Sequence, residues 1–356
     1  MGDVHMGRTR SDGKRIKGPL PMKHFYDLTD LPLDLISELL RLSDRLKHRP
    51  EPRALAGRVM GIVQLSPSLR TTVSFEAAMT RLGGGTFLIS PERTRYGLTS
   101  AHGIIMDGTA AEHLGDVLPV LATYADVLGI RLFAELRDLN KDLSDAPYFE
   151  MASSVNKPLI NLESAARHPC QSLADWKTLD ESAMPGNRGK LVLSWAYHPN
   201  PLPLSRPIST LYMATMRGMD VVVLRPEGFA LPPAVLSRAN QLAKTGGGSV
   251  NETNDRRSAM EGADVVYVQE WASPEVYGDS VAETKLRNSY EAWCLDESWF
   301  ANAAPTCKVM HAMPVRRGVS IADHVLDGPR SLLTKQAGNR MWTQMALVYF
   351  MLRRAA

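Results

Sequence analysis

Several short polar segments of this 356-residue chain combine residue types that bind anions and stabilise charge. Ser68-Leu69-Arg70-Thr71-Thr72 places hydroxyls and an Arg where a helix is expected to start. Unpaired backbone N–H groups there, together with a guanidinium, make a cradle for phosphate or another small oxyanion. Arg131 adds an isolated cation, and His168-Pro169-Cys170-Gln171 adds an imidazole and a carboxamide. Tyr197-His198, Gln269-Glu270-Trp271 and His311-Ala312-Met313-Pro314-Val315-Arg316-Arg317 complete the set. Singly, each has an ordinary structural reading. Ser68 and Thr71 could cap a helix, Arg131 could form a surface ion pair, and His168 could be a satisfied structural histidine. Cys170 could be a small buried residue, and Arg316-Arg317 a solvated face. Jointly they describe a site for an anionic substrate.

The elements that must position these residues alternate. Leu35, Ile36, Leu39, Leu40 and Leu46 predict an amphipathic first helix, with Asp30 as its N-cap. Apolar runs at 59–65, 86–89, 127–130, 191–196, 221–224, 265–268 and 309–311 predict strands. Between them, 68–82, 110–125, 207–218 and 232–244 predict helices, and a last helix spans 337–353. Unbroken apolar strands alternating with helices mean parallel sheets covered on both faces. The expected fold is α/β, with two doubly wound parallel-sheet domains joined by interdomain helices. Residues 1–20 read as a disordered basic tail, 21–160 and 161–336 as the two domains, and 337–356 as a helix packing back on the first. In open sheets of this kind ligands bind beyond the carboxyl ends of the strands, which is where the polar segments fall.

Composition removes other classes. The net charge of +3 is carried by residues 1–18, leaving the remainder neutral, so nothing marks a basic nucleic-acid-binding face. No apolar run approaches the ~20 residues of a membrane helix, and no secretory signal is visible. Three scattered cysteines suit neither a disulfide framework nor a zinc site, and a cytoplasmic location is expected. No G-x-G-x-x-G follows a strand and no P-loop is present. The histidines lack metal-ligand spacing. No cofactor or metal is expected.

The motifs resemble those of the aspartate/ornithine carbamoyltransferase family. Ser68-Leu69-Arg70-Thr71-Thr72 resembles its S-x-R-T-R loop, His168-Pro169-Cys170-Gln171 matches H-P-C-Q, 311–317 is similar to H-C-L-P-x-R-R, and Asn339-Arg340 resembles the end of E-A-E-N-R. Met106-Asp107-Gly108, Asn161-Leu162-Glu163 and Trp195-Ala196-Tyr197-His198-Pro199 look like the branch that acts on N-acylated ornithine.

The resemblance implies transfer of a carbamoyl group from carbamoyl phosphate to an amine. It implies that Ser68, Leu69, Arg70, Thr71, Tyr96, Arg131, His168, Gln171, Ala312, Met313 and Arg340 bind carbamoyl phosphate. Arg131, His168 and Thr71 would stabilise the charge growing on the carbonyl oxygen. Glu163, Gln269, Trp271 and Arg316 would bind the acceptor, with N-acetyl-L-ornithine the leading choice and ornithine, another diamino acid or a diamine as alternatives. A homotrimer with active sites between subunits is also implied, Tyr96 standing where a neighbour's loop would supply a Trp.

The chain departs from the family pattern mainly on the acceptor side. Ala312 stands for a Cys, Gln269 for a Lys, Ala111 for a Glu or Pro, Ser320 for a Lys and Thr72 for an Arg. Glu270 reads either as an acid favouring a cationic amine or as a solvent-facing carboxylate. A non-catalytic family member and a dehydrogenase are the rival readings. Arg131→Ala is expected to abolish turnover with the fold nearly intact.

Overall fold

The computed structural model describes residues 22–91, 97–100, 103, 105–182 and 188–353. The expected basic tail and Tyr96 lie outside them. The first half runs α1 (Leu33–His48), β1 (Val59–Gln64), α2 (Leu69–Arg81), β2 (Gly85–Ile89), β3 (Gly97–Thr99), β4 (Ala110–His113), α3 (Leu114–Tyr124), β5 (Val127–Arg131), α4 (Leu139–Ser144), α5 (Ala146–Ser153) and β6 (Leu159–Glu163). The second runs α6 (Pro169–Asp180), β7 (Lys190–Trp195), α7 (Ser205–Met216), β8 (Asp220–Leu224), α8 (Pro233–Gly246), β9 (Ser249–Thr253), α9 (Arg256–Met260), β10 (Val265–Gln269), α10 (Ser280–Asn288), β11 (Lys308–Met310), α11 (Asp323–Leu326) and α12 (Leu333–Arg353).

Strands pair in the order β2-β1-β5-β6 in one sheet and β11-β10-β7-β8-β9 in the other, all parallel. Every residue of β5, β6 and β10 is buried, which is why their sequences lack polar alternation. Apolar clusters cover both faces of each sheet. The largest continues from α1 through α6 and α12 to β7, β8 and β10. No helix among the described residues is long and apolar enough to cross a membrane.

Several boundaries differ from the sequence reading for local reasons. Asp30 lies in a 3₁₀ turn (Leu28–Asp30), and α1 starts after Pro32. The helix expected from 110 begins at Leu114, because 110–113 pairs with β3 and His113 caps α3 by accepting from the Gly115 N–H. The first sheet runs through Glu163, past the division placed at residue 160. Strands β6 and β9 and helix α6 had no periodic signal. Helix α6 is buried at every position from Pro169 to Leu179, so no polar stripe marks it. At Gly83, φ is +81° and an added side chain would meet the Pro52 carbonyl, so glycine ends the α2 turn.

Candidate active site

Strand register assembles the first part of the site. Gln64, Arg131 and Glu163, the last residues of β1, β5 and β6, lie side by side. Gln64 then organises the next loop: its Oε1 accepts from the Ser68 N–H (2.7 Å) and its Nε2 donates to Thr72 Oγ1 (2.9 Å). Ser68 caps α2 through the Thr71 N–H, and its hydroxyl also donates to Thr71 Oγ1 (3.0 Å). Arg340, from the middle of α12, donates to the same Thr71 oxygen at 2.8 Å. The predicted anion cradle is thus a helix N-terminus with Arg70 and Arg340 beside it. Arg340 is buried, which together with neighbouring Arg70 and Arg131 lowers its pKa to about 10.

Arg131 is fixed on three sides. Its Nη1 donates to the Ser66 and Pro67 carbonyls and its Nη2 to Glu163 Oε2 at 2.7 Å. Its guanidinium lies over the Phe133 ring. The other Glu163 oxygen takes the Ser205 hydroxyl (3.1 Å) and sits 3.4 Å from Arg206 Nε. Burial opposes ionisation of Glu163, but the surrounding cations outweigh it and hold the carboxyl well below the usual range. His168 lies 3.5 Å from the same carboxylate. Burial, with Arg340, Arg206 and Arg131 nearby, lowers its pKa to about 3, so the imidazole is neutral at neutral pH. Burial pushes the Cys170 thiol up to about 12, which removes it as a nucleophile.

A cleft of about 390 Å³ joins these groups. Of the residues expected to bind substrate, Ser68, Leu69, Arg70, Arg131, Glu163, His168, Met313, Arg316 and Arg340 line it. Thr71 is one bond behind, holding Arg340 and Ser68. Gln171 and Ala312 are buried and are not among the lining residues. The Gln171 Nε2 is held by Asp175 at 2.7 Å. Burial raises the Asp175 carboxyl to about 6, and it also accepts from Tyr267 and Gln336.

Three acceptor-side expectations are corrected. Trp271 is fully buried and away from the cleft: its Nε1 donates to the Phe229 carbonyl, and its own carbonyl accepts from Trp195 and Arg287. Gln269 is also fully buried, 3.4 Å from His311 Nε2, because β10 is flanked by β7 and β11. Glu270 neither faces solvent nor lines the cleft; it binds His311 (3.0 Å) and Ser320. Arg131 is itself almost fully buried, so its truncation is expected to cost stability as well as turnover. The sequence reading missed Arg206 as a lining residue, along with Phe133, Leu202 and Pro314. Arg206 stands in the first turn of α7, and an Arg at a helix start was the available signal.

Comparison with known proteins matches residues 23–181 to the aspartate/ornithine carbamoyltransferase carbamoyl-P binding domain, and 208–351 to the Asp/Orn binding domain of the same family. The chain belongs to the aspartate/ornithine carbamoyltransferase family. This carbamoyltransferase is 33% identical over 332 residues to an N-acetylornithine carbamoyltransferase of Xanthomonas campestris pv. campestris, covering 92% of this chain and 97% of that one. It is 34% identical over 336 residues to an ornithine carbamoyltransferase of Parafrankia sp., covering 93% and 96%. A crystal structure of acetylornithine transcarbamylase complexed with acetylcitrulline superposes with a TM-score of 0.86 at 32% identity, covering 92% of this chain and 98% of that one. Relatives acting on two different acceptors are about equally similar, so identity alone does not choose between them.

Proposed function

We propose that this carbamoyltransferase uses N-acetyl-L-ornithine as acceptor and forms N-acetyl-L-citrulline. The carrying observation is the charge of the cleft. Five guanidiniums (Arg70, Arg131, Arg206, Arg316, Arg340) line it, and Glu163 is the sole carboxylate among the described lining residues. Glu163 is already held by Arg131, Ser205 and Arg206. A free α-ammonium, as in ornithine, would find no available acid there. An acylated α-nitrogen needs none, and a phosphate dianion plus one carboxylate suit the cations.

In this reading the α2 N-terminus, Ser68, Arg70 and Arg340 hold the phosphate of carbamoyl phosphate. Arg131, Thr71 and His168 stabilise negative charge on the carbonyl oxygen. Gln171, whose amide nitrogen is fixed on Asp175, supports the carbamoyl site from behind the lining residues, and the backbone near Ala312-Met313 takes the carbamoyl NH₂. Arg316 and Glu163 contribute on the acceptor side. The neutral δ-amine attacks the carbamoyl carbon, the new C–N bond forms and the C–O bond to phosphate breaks. The amine proton leaves with the phosphate. Alignment of both substrates in one cleft supplies much of the rate.

A trimer is also proposed. Leu69 and Val73, one turn apart on α2, are 74% and 53% exposed beside the site, an apolar pair suited to a second copy.

The test is phosphate release and ureido-product formation from carbamoyl phosphate with ornithine, N-acetylornithine, N-succinylornithine, 2,3-diaminopropionate, putrescine and aspartate. N-acetylornithine is expected to give the highest rate. Turnover of ornithine with silence from the acylated amines would overturn the acceptor assignment.

A further inference from the structure

The cations of the cleft differ in how they are used. On the phosphate side, Arg340 is tied to Thr71 and Arg131 to Ser66, Pro67 and Glu163. By contrast, the side chain of Arg206 is only 13% exposed, and its single polar partner among the described residues is Glu163, 3.4 Å from Nε. Its two terminal nitrogens have no hydrogen-bond partner there. Pairing Nε with a carboxylate that Arg131 and Ser205 already hold leaves the outer edge of the guanidinium for a ligand. A largely desolvated guanidinium without acceptors is unfavourable until a ligand supplies them. Arg316 also lines the cleft, its Nε donating to His198 at 2.8 Å.

We propose that Arg206 binds the carboxylate of the acceptor, with Arg316 beside it, and so determines which amines are carbamoylated. This rests on the cleft being the carbamoyl-transfer site for an N-acylated amino acid. Once carbamoyl phosphate occupies the α2 side, the α-carboxylate is the anion such an acceptor still carries. The planar fork of Arg can bind it bidentately.

The experiment compares kcat/KM for N-acetylornithine and for its carboxamide, in the wild type, Arg206→Met and Arg206→Lys. Carbamoyl-phosphate binding by each protein is measured separately by calorimetry. The acid-to-amide ratio is expected to fall by about tenfold or more in Arg206→Met. Arg206→Lys should lie between, because it keeps the charge and loses the fork. An unchanged ratio, with both acceptors losing rate equally, would overturn the inference and make Arg206 a support for Glu163. If the wild type binds carbamoyl phosphate yet turns over neither acceptor, the acceptor assignment falls and this inference falls with it.

Discussion

Arg131 and His168 show how far the chemistry depends on burial. Arg131 pairs with Glu163 where both are almost fully covered, so removing it takes away the closest of the cations that balance this buried carboxylate. Arg131→Ala is therefore expected to abolish turnover and to lower unfolding stability by about 3–5 kcal/mol. Urea unfolding beside the activity assay checks this, and wild-type stability in the variant would contradict it. His168 makes a pH prediction. Its pKa is about 3 in the folded chain against 6.5 for an ordinary histidine, so the unfolded state takes up the proton first as pH falls. The stability it supports is complete above pH 6.5 and is lost on acidification toward 3. Between pH 6.5 and 5 this amounts to about 2 kcal/mol. Unfolding curves at pH 7.5 and 5.0 for the wild type and His168→Gln should differ in slope with pH, and equal slopes would refute the assignment.

Among the elements, α6 ties the halves together through buried polar groups as well as through the apolar cluster it shares with both. Asp175 accepts from Gln171, Tyr267 and Gln336, joining α6 to β10 and α12. Asp175→Asn would turn an NH₂ toward at least one of these donors. A loss of about 1–3 kcal/mol is expected, with a rise in the KM for carbamoyl phosphate as Gln171 loses its anchor. Calorimetric melting with steady-state kinetics checks both, and a variant unchanged in both would remove the role given to this network. The same elements mark what the sequence could show. The Ser68–Arg70 cradle was legible because a strand, a capping hydroxyl and a helix follow one another locally. Helix α6 was not, since burial on every side leaves no period to read. Gln269 and Trp271 were placed in the site because a strand end says nothing about which residues neighbouring strands will cover. Arg206 escaped because its one local signal, an Arg at a helix start, does not tell that the connection after β7 brings it back to the cleft eleven residues beyond the strand.

For the whole molecule, the exposed Leu69 and Val73 predict self-association. Sedimentation equilibrium should give three times the chain mass, and Val73→Asp should shift it toward monomer with loss of activity. A monomeric wild type at micromolar concentration would rule the trimer out. The bond from Arg340 to Thr71 spans 269 positions of sequence, and this bears on how the protein is made. Synthesis proceeds from the N-terminus, and the early domain can begin to fold first. The helix carrying Arg340 follows both sheets in the chain, so a nascent chain can have its first sheet formed while its phosphate cradle still lacks one wall. Substrate capture is thereby deferred until that helix has been made, and carbamoyl phosphate would protect chains that carry it from proteolysis while leaving chains shortened before it exposed.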